Sequence, residues 1–190
     1  AVANGADAVY LGLTSYSARA RASNFDPDPT LLWNDSSNNN YNYYDYEPQE
    51  GEAASLAMAV KFCHQHHVRV YVAFNTLVFD EELHEVQELV EQIWECGVDA
   101  VIVQDVGVSK IVKEVVDNLS TKMEEEGLGV GKGLDGARME IHASTQQTVT
   151  CADGVEFAAQ WTNATRVVLG RELSLSEIAQ ISTNTDIEIE

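Results

Sequence analysis

Two short stretches, NGADAVYLGL at residues 4–13 and CGVDAVIVQD at residues 96–105, decide the fold class. Each has a glycine, then Asp-Ala-Val, then a short apolar run that ends in small or polar residues. Uninterrupted apolar runs of this length are typical of strands that are buried on both faces of a parallel sheet. Four further runs of the same type follow the pattern, at residues 68–76, 139–145, 166–173 and 187–190. The sequence therefore predicts six parallel strands.

Amphipathic segments separate these strands, and their apolar residues recur at helical spacing. We predict helices over residues 53–67, 80–96, 107–119, 153–161 and 174–182. Gly97 is a suitable helix stop, and the segment from Ser174 to Glu177 has the spacing of a capping box. Regular alternation of strand and helix predicts an α/β fold, either an open doubly wound sheet or a (β/α) TIM-type barrel. Six of the eight βα units of a barrel are present, so we expect residues 1–190 to be a partial barrel.

Two segments interrupt the alternation, and we interpret both as insertions. Residues 26–50 are low in complexity and rich in Asp, Asn, Pro and Tyr, which indicates a surface insertion. Residues 120–137 are rich in glycine and acidic residues. Their glycines fit a phosphate-loop spacing, but they precede a predicted strand where a phosphate loop must follow one. We therefore reject a nucleotide site there.

The charge of the chain is strongly acidic, with 11 Lys and Arg against 31 Asp and Glu and a formal net charge of −20. Such a surface repels phosphate backbones, so this chain is not expected to be the main docking surface of an RNA. No apolar run reaches the roughly 20 residues that cross a bilayer. We expect no membrane association and a cytoplasmic location, with an organelle as the alternative.

The cysteines and most histidines lack the spacing of a metal site. Cys63, Cys96 and Cys151 are far apart in sequence, so we predict reduced thiols and no metal in this chain. His64, with two more histidines at 66 and 67, is expected to form the solvated end of a helix.

Ligand sites of parallel α/β folds lie at the carboxyl ends of the strands, so the residues that follow each apolar run are the candidates. These residues are unusually polar, and the substrate-binding candidates are Arg19, Arg21, Asn75, Gln104, Asp105, His142, Gln146, Arg171 and Glu172. The three arginines can hold a small carboxylate or phosphate, because a guanidinium binds either group through two hydrogen bonds. The alternative is that they pair with local acids, as Arg171 would with Asp105 or Glu172. His142 is the only catalytic candidate, and its other interpretation is a hydrogen-bonded residue that lines the site. Arg69 and Arg166 begin their predicted strands and so belong to the opposite end.

Six motifs in order, NGADAVYLG, SARARASNF, VYVAFNTLVFDEEL, GVDAVIVQDVGV, EIHASTQQTV and RVVLGRELSLSEI, closely resemble the collagenase-like peptidase family U-32. The resemblance implies a TIM-type barrel. It also implies oxygen-independent hydroxylation of a tRNA uridine, an rRNA cytidine or a ubiquinone precursor, with prephenate as the hydroxyl source for the RNA members.

The resemblance further implies an iron–sulfur cluster in the full-length protein, held by cysteines in a segment that would begin after Glu190. We therefore expect no cofactor in this segment, and we expect the fragment alone to be inactive. The tRNA uridine type is the leading hypothesis, with tRNA or rRNA bound through regions outside this chain. The alternatives are a collagenase-like peptidase, hydroxylation of a ubiquinone precursor, and an inactive truncated binding protein.

Overall fold

The computed structural model describes residues 1–17, 24–28 and 54–190. All six predicted strands are present in it, each shorter than the apolar run that predicted it. The eight observed strands are β1 (Ala8–Gly12), β2 (Phe25–Asp26), β3 (Ala54–Ser55), β4 (Arg69–Phe74), β5 (Ala100–Val103), β6 (Glu140–Ala143), β7 (Arg166–Val167) and β8 (Glu188–Ile189). The short strands β2 and β3 were not predicted, and they pair with each other in a separate parallel sheet.

The main sheet is parallel and has six strands in the order β1-β4-β5-β6-β7-β8. Each strand of the main sheet therefore lies beside the strand of that sheet that follows it in sequence. A doubly wound sheet reverses its strand order at a switch point, and this sheet has no such reversal. Within the part of the chain that the structure describes, β1 and β8 form the two edges, and closure into a TIM-type barrel stays a prediction.

The helices pack against one face of this sheet. Alternate residues of β4, among them Val72 and Phe74, are buried in one core together with Val86 and Ile93 of the helix after β4. The residues between them point to the other face, where Tyr71 is half-buried. Burial of a fully enclosed valine or phenylalanine contributes about 1.5–3 kcal/mol, so this one-sided core fixes which face each strand presents to the helices.

The described residues form five α-helices, α1 (Leu56–Gln65), α2 (Leu83–Glu95), α3 (Val106–Glu125), α4 (Ala152–Thr162) and α5 (Leu175–Thr183). The predicted ends agree where a cap defines them. The Ser174 hydroxyl accepts from Glu177 N and the Glu177 carboxylate accepts from Ser174 N, which forms the predicted capping box of α5. After α2, Gly97 adopts a left-handed conformation with φ 82°, as expected of a helix stop.

The structure changes the predicted boundary after α3. This helix continues to Glu125, six residues into the segment 120–137 that we interpreted as an insertion. The rest of that segment packs at the amino ends of the strands. Lys132 lies over the Trp94 ring at 5.1 Å from its centre and pairs with Glu95. The other insertion, residues 26–50, lies almost entirely outside the described residues.

None of the helices in the described ranges combines the length and the hydropathy needed to span a membrane.

Candidate functional site

The carboxyl ends of the strands form one edge of the sheet. The register places Phe74 of β4 beside Val103 of β5, and Val103 beside Ala143 of β6. The predicted site residue Asn75 directly follows β4, and Gln104 directly follows β5. The segment that carries Gln146 begins directly after β6. Backbone bonds hold the edge together, because Gln104 N donates to Phe74 O at 3.4 Å and Asn75 N donates to Tyr16 O at 3.2 Å. The structure therefore places Asn75 and Gln104 on one edge, as predicted.

The segment after β6 adds amide and hydroxyl groups to this edge. Gln146 is exposed, and its backbone N donates to the Ser144 hydroxyl at 3.3 Å. The neighbouring Gln147, which the sequence did not single out, donates from Nε2 to Val103 O at 2.9 Å. Thr145 similarly donates its hydroxyl to Leu169 O, at 2.9 Å. Side chains of this turn thus tie the ends of β5, β6 and β7 together and leave Gln146 open to a ligand.

Asp105 has a structural partner. Its carboxylate Oδ1 accepts from Val108 N at 2.9 Å, so the residue caps the amino end of α3. A capping aspartate of this kind stabilises a helix by about 1 kcal/mol. One carboxylate oxygen of Asp105 therefore binds the amino end of α3. This capping role was not predicted from the sequence.

Arg171 and Glu172 lie in an exposed turn after β7. The sequence left open whether Arg171 pairs with Asp105 or Glu172. Among the described residues no carboxylate lies within ion-pair distance of the Arg171 guanidinium. This guanidinium is accordingly available to an anion at the edge. Arg19 and Arg21, the other two predicted anion ligands, lie outside the described residues.

His142 is buried on β6, with 1% of its surface exposed. Its Nε2 is 3.1 Å from Oε2 of Glu140, which stands two residues earlier on the same strand face, and its ring meets Tyr71 edge-on at 4.9 Å. Burial lowers the pKa of His142, although the hydrogen bond to Glu140 acts in the opposite direction. A neutral imidazole with one nitrogen committed to Glu140 is suited to positioning and hydrogen bonding.

Arg166 belongs to a polar cluster with Tyr71, Glu140 and His142. This cluster lies on the face of the sheet opposite the one against which the helices pack. The guanidinium lies 5.5 Å from the centre of the Tyr71 ring and donates to Glu188 at 2.8 Å. Burial alone would lower the pKa of Arg166. Hydrogen bonds to Glu188 and Tyr71 act in the opposite direction, and together with the negative charge of Glu188 they leave the pKa of Arg166 raised. Arg69 and Arg166 are the first residues of β4 and β7, as predicted. The sequence did not predict that Arg69 and Arg166 form hydrogen bonds to Tyr71.

A second polar cluster joins the amino ends of the strands to the segment after α3. Asp99, only 6% exposed, accepts hydrogen bonds from Val70 N at 2.7 Å, from Leu134 N at 2.6 Å and from His64 Nε2 at 2.8 Å. His66 and His67 are exposed at the end of α1, as predicted, whereas His64 is half-buried against Asp99. Its position in the last turn of α1 brings it against Asp99, which no local pattern in the sequence indicated.

The three cysteines do not fit an iron–sulfur cluster. Cys63 and Cys96 are buried, whereas Cys151 is exposed. Burial raises the pKa of Cys96 to about 12, and its thiol donates to the Pro27 carbonyl at 3.3 Å. Cluster iron requires thiolates, which this environment disfavours. Across the described residues no three His, Cys, Asp or Glu side chains stand close enough to share a metal ion.

Together these observations define the chemistry that the edge can perform. The exposed amide of Gln146, the half-buried amide of Gln104 and the exposed Arg171 guanidinium are groups that can bind an oxyanion. Ser144, two residues after His142, accepts from the Gln146 backbone and caps a short turn, so it is not arranged as an activated nucleophile. The geometry favours a binding site over a hydrolytic dyad.

Comparison with known proteins gives several relatives. The chain is 30% identical over 190 residues to the 23S rRNA 5-hydroxycytidine C2501 synthase of Escherichia coli. This alignment covers 100% of this chain and 21% of the relative. It is 25% identical over 190 residues to tRNA hydroxylation protein P1 of Bacillus subtilis, covering 100% of this chain and 34% of the relative. It is 23% identical over 182 residues to a collagenase of Porphyromonas gingivalis, covering 95% of this chain and 32% of the relative. The chain thus spans between a fifth and about a third of these proteins. No solved structure matches.

The family model for peptidase family U32 matches residues 1–31, 48–126 and 134–190. The unmatched residues, 32–47 and 127–133, lie inside the two segments interpreted as insertions. The matched ranges include every strand of the main sheet and all five α-helices. The chain therefore belongs to peptidase family U32.

Proposed function

We propose that this chain is the substrate-binding part of a U32 protein that hydroxylates a pyrimidine base in RNA, with a tRNA uridine as the first expectation. The observation that carries the proposal is family membership together with relatives named for rRNA and tRNA hydroxylation. The match to the rRNA 5-hydroxycytidine synthase makes an rRNA cytidine the second candidate substrate.

The carboxyl edge supports a role in binding a small acid. Among the described residues the Arg171 guanidinium has no ion pair, and Gln104 and Gln146 carry amide groups along the same edge. A guanidinium binds a carboxylate through two parallel hydrogen bonds, which suits prephenate, the hydroxyl donor that the resemblance implies. In this proposal His142 stays neutral and helps to orient the ligand. The carboxylate of Glu140 forms a hydrogen bond with Nε2 of His142 and so fixes the position of the imidazole ring.

The remaining chemistry belongs to other parts of the full-length protein. We propose that the iron–sulfur cluster takes its ligands from cysteines outside this chain, because the three cysteines here do not fit one. The RNA backbone binds elsewhere too, since a net charge of −20 repels phosphates. The proposed partners do not include a membrane.

A relative that is named a collagenase supports a peptidase as the second candidate function. That function requires a nucleophile or a hydrolytic metal. Neither His142, which is held by Glu140, nor Ser144, which caps a turn, is arranged as one.

The test is complementation with the full-length protein in a bacterial strain that lacks its own U32 RNA hydroxylation proteins. Nucleosides from purified tRNA and rRNA are quantified by mass spectrometry. We expect 5-hydroxyuridine or 5-hydroxycytidine to return with the wild type, and to fall by about tenfold or more in Arg171→Ala, the loss expected for one charged contact of about 1.4 kcal/mol.

Lys122→Ala is the matched control, because Lys122 is an exposed cation on α3 without an ion pair among the described residues. It should leave the modification unchanged. Unmodified tRNA and rRNA with stably expressed wild-type protein would refute the proposed function, and gelatin cleavage by the same preparation would favour the peptidase.

A further inference from the structure

Three apolar side chains near the start of α2 are excluded from the core. Leu77 is 68% exposed, Phe79 63% and Leu83 38%, all within seven residues of chain. Single exposed apolar residues are normal on protein surfaces, whereas clustered ones mark a contact site. We call these three residues the apolar ridge.

A groove of about 520 Å³ adjoins the ridge, and Leu77 lines both. Tyr16 forms one wall, and its ring stacks on the buried Phe74 with 5.3 Å between ring centres and 15° between planes. The wall on the α2 side carries Glu82 and Glu85. One wall of the groove is therefore anchored to the core through the stacking of Tyr16 on Phe74.

The groove is acidic, and its two glutamates have no cationic partner among the described residues. Glu82 accepts from Phe79 N at 2.8 Å and Glu85 accepts from the Tyr16 hydroxyl at 3.3 Å. In the ranges that the structure describes, no lysine or arginine forms an ion pair with Glu82 or Glu85. Partial burial raises the pKa of Tyr16, and the charges of Glu82 and Glu85 raise it further, which reflects the negative potential of the groove.

Charge decides which partner suits this surface. RNA phosphates and anionic lipid headgroups are repelled by the groove, and a second copy of the chain carries the same charge of −20. A cationic partner gains from the carboxylates, and an apolar side chain of that partner covers the ridge.

We propose that the apolar ridge and the groove together dock a cationic, amphipathic segment of another protein, with an apolar anchor on Leu77 and Phe79 and a lysine or arginine facing Glu82 and Glu85. Amphipathic segments are commonly bound in this way, by apolar anchors in a groove and charges at its rim. The proposal is independent of the reaction that the full-length protein performs.

The test uses the full-length protein and a short fluorescent amphipathic peptide of leucine and lysine, with binding followed by anisotropy. We expect saturable binding that weakens by about tenfold or more in two double variants. Glu82→Gln with Glu85→Gln removes the charges, while the glutamine oxygen can still accept from Phe79 N. Leu77→Ser with Phe79→Ser removes the anchors, and unchanged thermal unfolding confirms that these exposed positions leave the fold intact.

The control is Glu88→Gln with Glu91→Gln, which removes the same charge from the exposed face of the same helix. Binding should stay within about twofold of the wild type. Equal weakening by the control pair would show general attraction to an acidic surface and overturn the proposal, as would absence of peptide binding. Three other results would also overturn the proposal: binding of phosphatidylserine vesicles, binding of RNA, or self-association in sedimentation. Each counts only if the double variant Leu77→Ser with Phe79→Ser abolishes it, because the interaction then uses the apolar ridge.

Discussion

Replacement of Asp99 by alanine tests whether one buried carboxylate holds the amino ends of the strands to the segment after α3. The substitution removes three accepted hydrogen bonds at 2.6 to 2.8 Å. The Val70 amide is buried, and a buried donor without an acceptor costs about 1–3 kcal/mol. The partly buried bonds to Leu134 N and His64 contribute about 0.5–1.5 kcal/mol each. We therefore expect Asp99→Ala to reduce the free energy of unfolding by about 4 kcal/mol, a large part of the 5–15 kcal/mol typical of a domain.

The assay is urea denaturation of the purified protein, followed by tryptophan fluorescence, because Trp94 packs under Lys132 in the same region. Asp99→Asn keeps one acceptor oxygen and should lose about half as much stability. Asp186→Ala, at an exposed position, is the control for loss of one negative charge and should change stability by less than about 0.5 kcal/mol. A loss below about 1 kcal/mol in Asp99→Ala would refute this account of the cluster.

Two further predictions concern single side chains. At pH 8, iodoacetamide should alkylate Cys151 rapidly and leave Cys63 and Cys96 unmodified in the folded protein, because burial raises the pKa of both buried thiols, that of Cys96 to about 12; intact-mass measurement would show one adduct, and a rapid second adduct would contradict the prediction. His142 has a lowered pKa in the folded protein, mainly from burial, so it contributes stability above the unfolded pKa of about 6.5 that is lost as pH falls towards the folded value. His142→Gln should therefore lose less stability than the wild type between pH 7.5 and 5.5 in urea titrations; parallel losses in both proteins would contradict it.

The strands and the order of elements were predictable because they depend on local pattern. The apolar runs that begin near Gly5 and Gly97 are strands in the structure, and the caps at Ser174 and Gly97 fall where their chemistry requires. Boundaries were less predictable. The helix α3 extends to Glu125 because its last turn, Lys122 to Glu125, consists of good helix formers.

The candidate site was predictable only in part. Parallel pairing brings Asn75 and Gln104 to one edge, and this follows from the fold class alone. The use of Asp105 as a helix cap depends on where α3 begins, and that start is not set by strand periodicity.

The sequence by itself determined the α/β class, the sequence of strands and helices, the excess of negative charge and the resemblance to family U32, because each of these is encoded in spacing and composition. Only the tertiary structure decided which polar side chains meet. His64 reaches Asp99, and Arg166 reaches Tyr71, across tens of residues of chain. The physical reason is that alternation assigns a side chain to a face of its own strand, whereas its partners are set by the register between strands and the packing of helices against the sheet.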